Sequence, residues 1–144
     1  MSLLSCFEKL KGLRKRMYYL SKRIEFCKEQ SLLIPGPIYG DDKVQSEPSG
    51  KAPFEKWVLK QLDFEMELEK LEKEYESLSV KTTELLEDTI KSEKTLLVLM
   101  YREILFLPYI EVAKKVNLSL SYVYKLHHAG MEEIKRASLL YESS

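Results

Sequence analysis

The sequence predicts an all-α protein in which two long helices of coiled-coil type fold back on one another, with a compact helical group after them. Three observations carry this. Apolar residues recur at alternating four- and three-residue spacings over two long stretches, the period that keeps one helix face toward a partner. A stretch rich in Pro and Gly separates them. The last third has helix-capping residues on either side of a single proline, Pro108.

The first element covers about residues 3–31. Its seam is Cys6, Leu10, Leu13, Met17, Leu20, Ile24 and Cys27, and its flanks hold Lys11, Arg14, Lys15, Arg16, Lys22 and Arg23. Residues 34–53 then hold four of the five prolines and three of the five glycines, so no regular element is expected there. At this length a loop usually serves function or mobility.

The second helix starts near Pro53, a residue suited to a first helical turn. Trp57, Gln61, Phe64, Leu68, Leu71, Tyr75, Leu78, Thr82, Leu85 and Thr89 form its seam, less apolar toward the C-terminal end. Glu65, Glu67, Glu69, Glu72, Glu74 and Glu76 crowd its flanks. Residues 1–34 carry 8 Lys/Arg against 3 Glu, whereas residues 54–93 carry 6 against 12 acidic residues. A basic and an acidic helix with matching heptads suit each other, and the loop allows an antiparallel return. Exposed ion pairs are individually weak, so charge selects the partner and the seam supplies stability.

The third segment opens at Ser92, a cap for a helix expected over Glu93–Phe106, apolar around most of its circumference. Pro108 ends it. From Tyr109 to Leu126 the spacing is that of a helix-turn-helix. Val112, Ala113 and Val116 face inward, Asn117 takes the positive φ of the turn, and Leu118 plugs the core beneath. Ser119 caps the second helix, whose inner face carries Val123 and Leu126 and which continues through Met131 and Ile134 to about Tyr141.

In such motifs the N-terminal residues of the second helix meet base edges in the major groove. The outward residues here are Leu120, Ser121, Tyr122, Tyr124, Lys125 and His128, with Ser119 at the cap and Lys114 and Lys115 on the preceding helix placed for backbone phosphates. Ser121 can donate or accept, and Tyr122 offers a hydroxyl and a ring for a thymine methyl. Lys125 reaches a guanine edge or a phosphate. No Arg, Asn or Gln stands on this face for bidentate base contacts, and Tyr and Leu suit a protein partner equally well. Residues 94–144 carry only 7 basic residues against 5 acidic. A free-standing nucleic-acid binder is usually more basic, which argues for help from a dimer or another DNA-bound protein.

Other chemistries find little support. Phosphate-binding glycine loops, nucleophile elbows and metalloprotease pairs are absent from the sequence, so neither an enzyme nor a cofactor is expected. His127 and His128 are neighbours pointing about 100° apart on a helix and cannot chelate one ion together. No metal site is expected, and one of the two should turn inward. Cys6 and Cys27 have no CxxC spacing and sit about 30 Å apart along one helix, so they read as core-filling residues in a reducing compartment. No signal-peptide core develops after Met1, and the apolar run Leu96–Ile110 is interrupted by Arg102, Glu103 and Pro108. A cytoplasmic, non-membrane protein is the expectation.

The segment Leu107 to Ile134 resembles region 4 of bacterial sigma factors, the part that reads the −35 promoter element. In layout the chain is similar to small phage-encoded regulators of Gram-positive bacteria with a sigma-region-4-like C-terminus, the ArpU/RinA late-gene-activator type. Those proteins have a heptad-rich N-terminal half and a loop with a Val-Gln-Ser run, here Val44, Gln45 and Ser46. Their C-terminal pattern is matched by Ser119, Val123, Tyr124 and His127. The resemblance implies sequence-specific binding near a phage promoter. Sigma factors place Arg and Glu where this chain has Leu120, Ser121 and Tyr122, and no counterpart of the promoter-melting region is present.

The expected organisation is a helical hairpin over 1–91, with its loop at 34–53, and a helix-turn-helix domain of sigma region-4 type over 92–144. The expected function is transcriptional regulation, with double-stranded DNA, RNA polymerase and a second copy of the chain as partners. Two other readings stay open. One is a small DNA-packaging protein of the terminase-small-subunit kind. The other is a protein–protein module that binds polymerase or an inhibitor without DNA.

Overall fold

The computed structural model describes residues 2–33 and 53–143. The expected loop, with Val44, Gln45 and Ser46, lies outside the described residues except for Pro53. The described residues contain helices and no strand: α1 (Leu3–Leu33), α2 (Pro53–Thr89), α3 (Glu93–Leu99), a π-helical turn (Met100–Ile104), α4 (Tyr109–Val116) and α5 (Leu120–Ser143). No helix among them is long and apolar enough to cross a membrane. The chain divides into two compact units, one of Met1–Arg14 with Glu74–Ser144 and the other of Lys15–Lys73. The division thus falls within both long helices.

In the unit Lys15–Lys73, the heptad positions of both helices turn inward. Leu20, Ile24, Cys27 and Leu71 are buried, and Met17, Trp57, Gln61, Phe64 and Leu68 are half-buried. Burying a side chain of this size stabilises by about 1.5–3 kcal/mol, so the seam dominates. Arg16 approaches Glu67 at 3.9 Å, the Arg23 guanidinium lies 5.6 Å from the Phe64 ring centre, and the Phe26 and Trp57 rings meet edge to face at 5.5 Å. Rising numbers in one stretch meet falling numbers in the other, so the two run in opposite directions. Arg16–Glu67 is largely exposed and adds little.

The other unit holds two apolar clusters. Leu3, Phe7, Leu10, Leu86, Ile90, Leu99, Ile104 and Ile134 form the first. Leu3 extends the heptad seam by one position, whereas Phe7 lies off it and is buried because the start of α1 meets the short helices as well as α2. Val98, Val112, Ala113 and Val123 form the second, flanked by Tyr101, Tyr109, Val116, Leu118 and Leu126. Val98 and Leu99 are sequence neighbours that serve different clusters, so α3 is the partition between them. Cys6 and Cys27 are buried free thiols. The polar seam residues Thr82 and Thr89 return their hydroxyls to the carbonyls of Leu78 and Leu85 at 2.7 and 2.9 Å, which lets them sit inside without an unpaired donor.

The expected helix Glu93–Phe106 is corrected. Its α-helical part stops at Leu99, five residues of π-helix follow, and Phe106 has φ 58°. The apolar girdle is also incomplete, since Leu97 and Leu105 are exposed. Pro108 disfavours α-helical geometry at Leu107, so the helix has to close before it. The closure bonds are Leu105 N–H to Met100 O at 3.2 Å and Leu107 N–H to Tyr101 O at 3.1 Å. The Tyr75 hydroxyl donates to the Ile104 carbonyl and Arg102 to the Leu107 carbonyl, which satisfies oxygens the widened turn frees.

Gly130 marks the crossing of α5 over α3. A Cβ there would come within 2.8 Å of both Leu99 Cδ1 and Thr95 Cγ2, so any larger residue would have to displace these two buried side chains. Neither the heptads nor the helix-turn-helix spacing calls for this residue. A glycine inside a long helical pattern is nonetheless a common sign of close approach.

Candidate nucleic-acid interface

The turn between α4 and α5 is built as its residues dictate. Asn117 adopts φ 58°, ψ 48°, a left-handed conformation that Asn tolerates better than most residues. The two bonds that close α4 are Asn117 N–H to Lys114 O at 3.3 Å and Leu118 N–H to Ala113 O at 3.1 Å, the pattern of a left-handed helix stop. Ser119 Oγ accepts from the Tyr122 N–H at 3.2 Å and caps α5. Val112 and Val123 are fully buried where the two helices face each other, and Ala113 is small enough to allow the crossing.

Every residue expected on the reading face is exposed: Lys114, Lys115, Ser119, Leu120, Ser121, Tyr122, Tyr124, Lys125 and His128. They are not equally free. Ser119 spends its hydroxyl on the cap. Lys114 lies 3.7 Å from Glu111 one turn earlier, which offsets part of its charge. Tyr124 packs its ring against Tyr109 with centroids 4.5 Å apart. Tyr122 carries Lys94 of α3, whose ammonium lies 5.8 Å from the ring centre. Lys94 stands outside the motif that defines this face. Only the packing of α3 beside the start of α5 brings it there.

Beneath the face lies a polar strut. His127 Nε2 is 2.6 Å from Glu103 Oε1, and Nδ1 is 3.4 Å from the Tyr109 hydroxyl. The His127 and Glu103 side chains are only 16% and 20% exposed. The guanidinium of Arg102 lies 4.1 Å from the centre of the Tyr109 ring, and the His127 ring meets Tyr109 edge-on at 5.4 Å. Of the adjacent pair, His127 therefore turns inward and His128 outward. The strut ties the π turn, α4 and α5 together just below Tyr124. Its members are 24 and 18 residues apart in sequence, with no spacing that announces it.

Compared with known proteins, the chain matches no family model, no curated protein and no solved structure.

Chemically the face offers hydroxyls at Ser121 and Tyr122, apolar surface at Leu120 and the tyrosine rings, and ammonium groups at Lys94, Lys114, Lys115 and Lys125. That set can hydrogen-bond base edges, contact thymine methyls and neutralise phosphates. Among the described residues no three His, Cys, Asp or Glu side chains converge as a metal site would require.

Proposed function

We propose that this protein is a non-enzymatic DNA-binding transcriptional regulator of phage or prophage type, acting in the cytoplasm. It joins a helical hairpin to a helix-turn-helix resembling sigma region 4 and inserts the start of α5 into the major groove. The observation that carries the reading is the split of the Tyr109–Leu126 segment. Val112, Ala113 and Val123 are buried, Asn117 and Ser119 close the turn, and the side chains of Ser121, Tyr122, Lys125 and His128 all stand outside. That division of labour is what groove insertion requires. Lys94, Lys114 and Lys115 supply backbone contacts, and the hairpin serves as the assembly arm or meets RNA polymerase.

One observation favours a second reading. Leu120, Tyr122 and Tyr124 are exposed large side chains, without an Arg, Asn or Gln beside them, a composition that also suits a protein partner.

A gel shift on promoter fragments from the protein's own genome, across a salt series, separates the two. Groove insertion gives sequence-selective retention that falls steeply with salt. Tyr122→Ala with Lys125→Ala then lowers the affinity by at least about tenfold, since each good base contact is worth roughly 1–3 kcal/mol. Retention unchanged by this double substitution sinks the groove reading, and co-purification of polymerase without DNA retention points to the protein module.

A further inference from the structure

On α2, the side facing away from its heptad seam should be polar if that helix needed only its intramolecular partner. It is not. Leu59 is 43% exposed, Leu62 49% and Met66 63%. Their spacings of three and four residues place them on one stripe of the helix, a second short seam behind the first. Nothing among the described residues covers it.

We propose that this stripe is where a second copy of the chain docks, with the two α2 helices paired antiparallel. The order of charges selects this occupant. Lys56 and Asp63 border the stripe on one side, seven residues apart, and Glu55, Glu69 and Lys73 lie in line with it. In a parallel pair each residue on the stripe meets its own copy, so Glu55 faces Glu55, Glu69 faces Glu69 and Lys73 faces Lys73. Three like-charge layers would then flank three apolar ones.

Antiparallel pairing removes these clashes. With Leu59 of one copy against Leu62 of the other, Met66 meets the aliphatic part of Glu55. The flanking positions then bring Lys56 of each copy to Asp63 of its partner. A two-fold axis makes every such contact occur twice, so the surface is complementary to itself. The apolar stripe is short, which fits a reversible dimer. The inference concerns α2 within the unit Lys15–Lys73 and does not rest on the DNA reading, so either can fail without the other.

Sedimentation of the full chain over a concentration series tests it. The wild type is expected to pass from monomer to dimer in the micromolar range. Leu59→Glu with Leu62→Glu raises the dissociation constant by at least about a hundredfold and leaves the helical circular dichroism unchanged, because both side chains are exposed in the monomer.

The charge order has its own test, which a merely sticky surface would not pass. Lys56→Asp weakens the dimer by about tenfold, since two attractive pairs become repulsive ones. Lys56→Asp with Asp63→Lys restores it to within about threefold. A wild type that stays monomeric at about 100 μM overturns the proposal, as does a dimer indifferent to the Leu59/Leu62 change. A dimer sensitive to that change but not restored by the charge exchange overturns the antiparallel pairing.

Discussion

The unit Lys15–Lys73 and the helices from Glu93 onward are both helical and both built on apolar burial, yet they are specified in different ways. The first repeats one instruction: an apolar residue every three or four positions, enough times that no single one is indispensable. Gln61 sits in that seam, half-buried, without breaking it. The second uses each device once. A left-handed Asn117, a left-handed Phe106, a glycine at the α3–α5 crossing and one half-buried His–Glu contact each hold a different joint. Repetition tolerates error, and single-use joints do not. Short helices bury little seam apiece, so their geometry must be held by particular residues.

The sharpest way to break this comparison is a buried charge. Val123→Asp places an unpaired carboxylate in a fully closed site and should destabilise the C-terminal helices by at least about 3 kcal/mol, read as loss of cooperative thermal melting. The matching cut in the repetitive unit is Leu20→Ala, expected to cost about 2–3 kcal/mol while leaving a two-state urea transition in place. If Leu20→Ala abolishes folding and Val123→Asp does not, the contrast is wrong.

A milder pair uses one substitution at two glycines. Gly12 sits in α1 with nothing within 4 Å of an added Cβ, so Gly12→Ala should stabilise by about 1 kcal/mol through helix propensity. At Gly130 the same change gains that propensity but drives a methyl into Leu99 and Thr95. Overpacking of about 1–3 kcal/mol outweighs the gain, and the melting temperature falls. Equal and positive shifts at both sites would remove the close α3–α5 crossing from the account.

The smallest effect belongs to Arg16→Ala. Its partner Glu67 is 3.9 Å away and both side chains are about half exposed or more, so the loss should stay below about 0.5 kcal/mol. A larger loss in denaturant titrations would mean that charge pairing, not the seam, holds the repetitive unit.

Much of the chain is legible from residue order. Both heptad seams can be read residue by residue and are buried or half-buried throughout the described helices. The left-handed Asn117 and the caps at Ser92 and Ser119 are also readable, because each depends on contacts within four residues. The end of the third helix is not. Apolar periodicity runs on to Phe106, but the chain must close ahead of Pro108, and the π turn that does so is held by Tyr75 and Arg102 side chains. At the candidate interface helical phase finds the outward residues, while Lys94 and the Glu103–His127–Tyr109 strut escape it.

By itself the sequence determined the two long helices with their heptad seams, and the turn between α4 and α5. Each of these follows from steric preference and periodicity over a few residues, which act before any distant contact forms. The tertiary structure alone decided that Val98 and Leu99 serve separate clusters, that His127 meets Glu103, and that Lys94 stands over Tyr122. The physical reason is one of reach. Such contacts join residues that only packing makes neighbours, and a helix carries its phase in its own residues but not the position of the helix beside it.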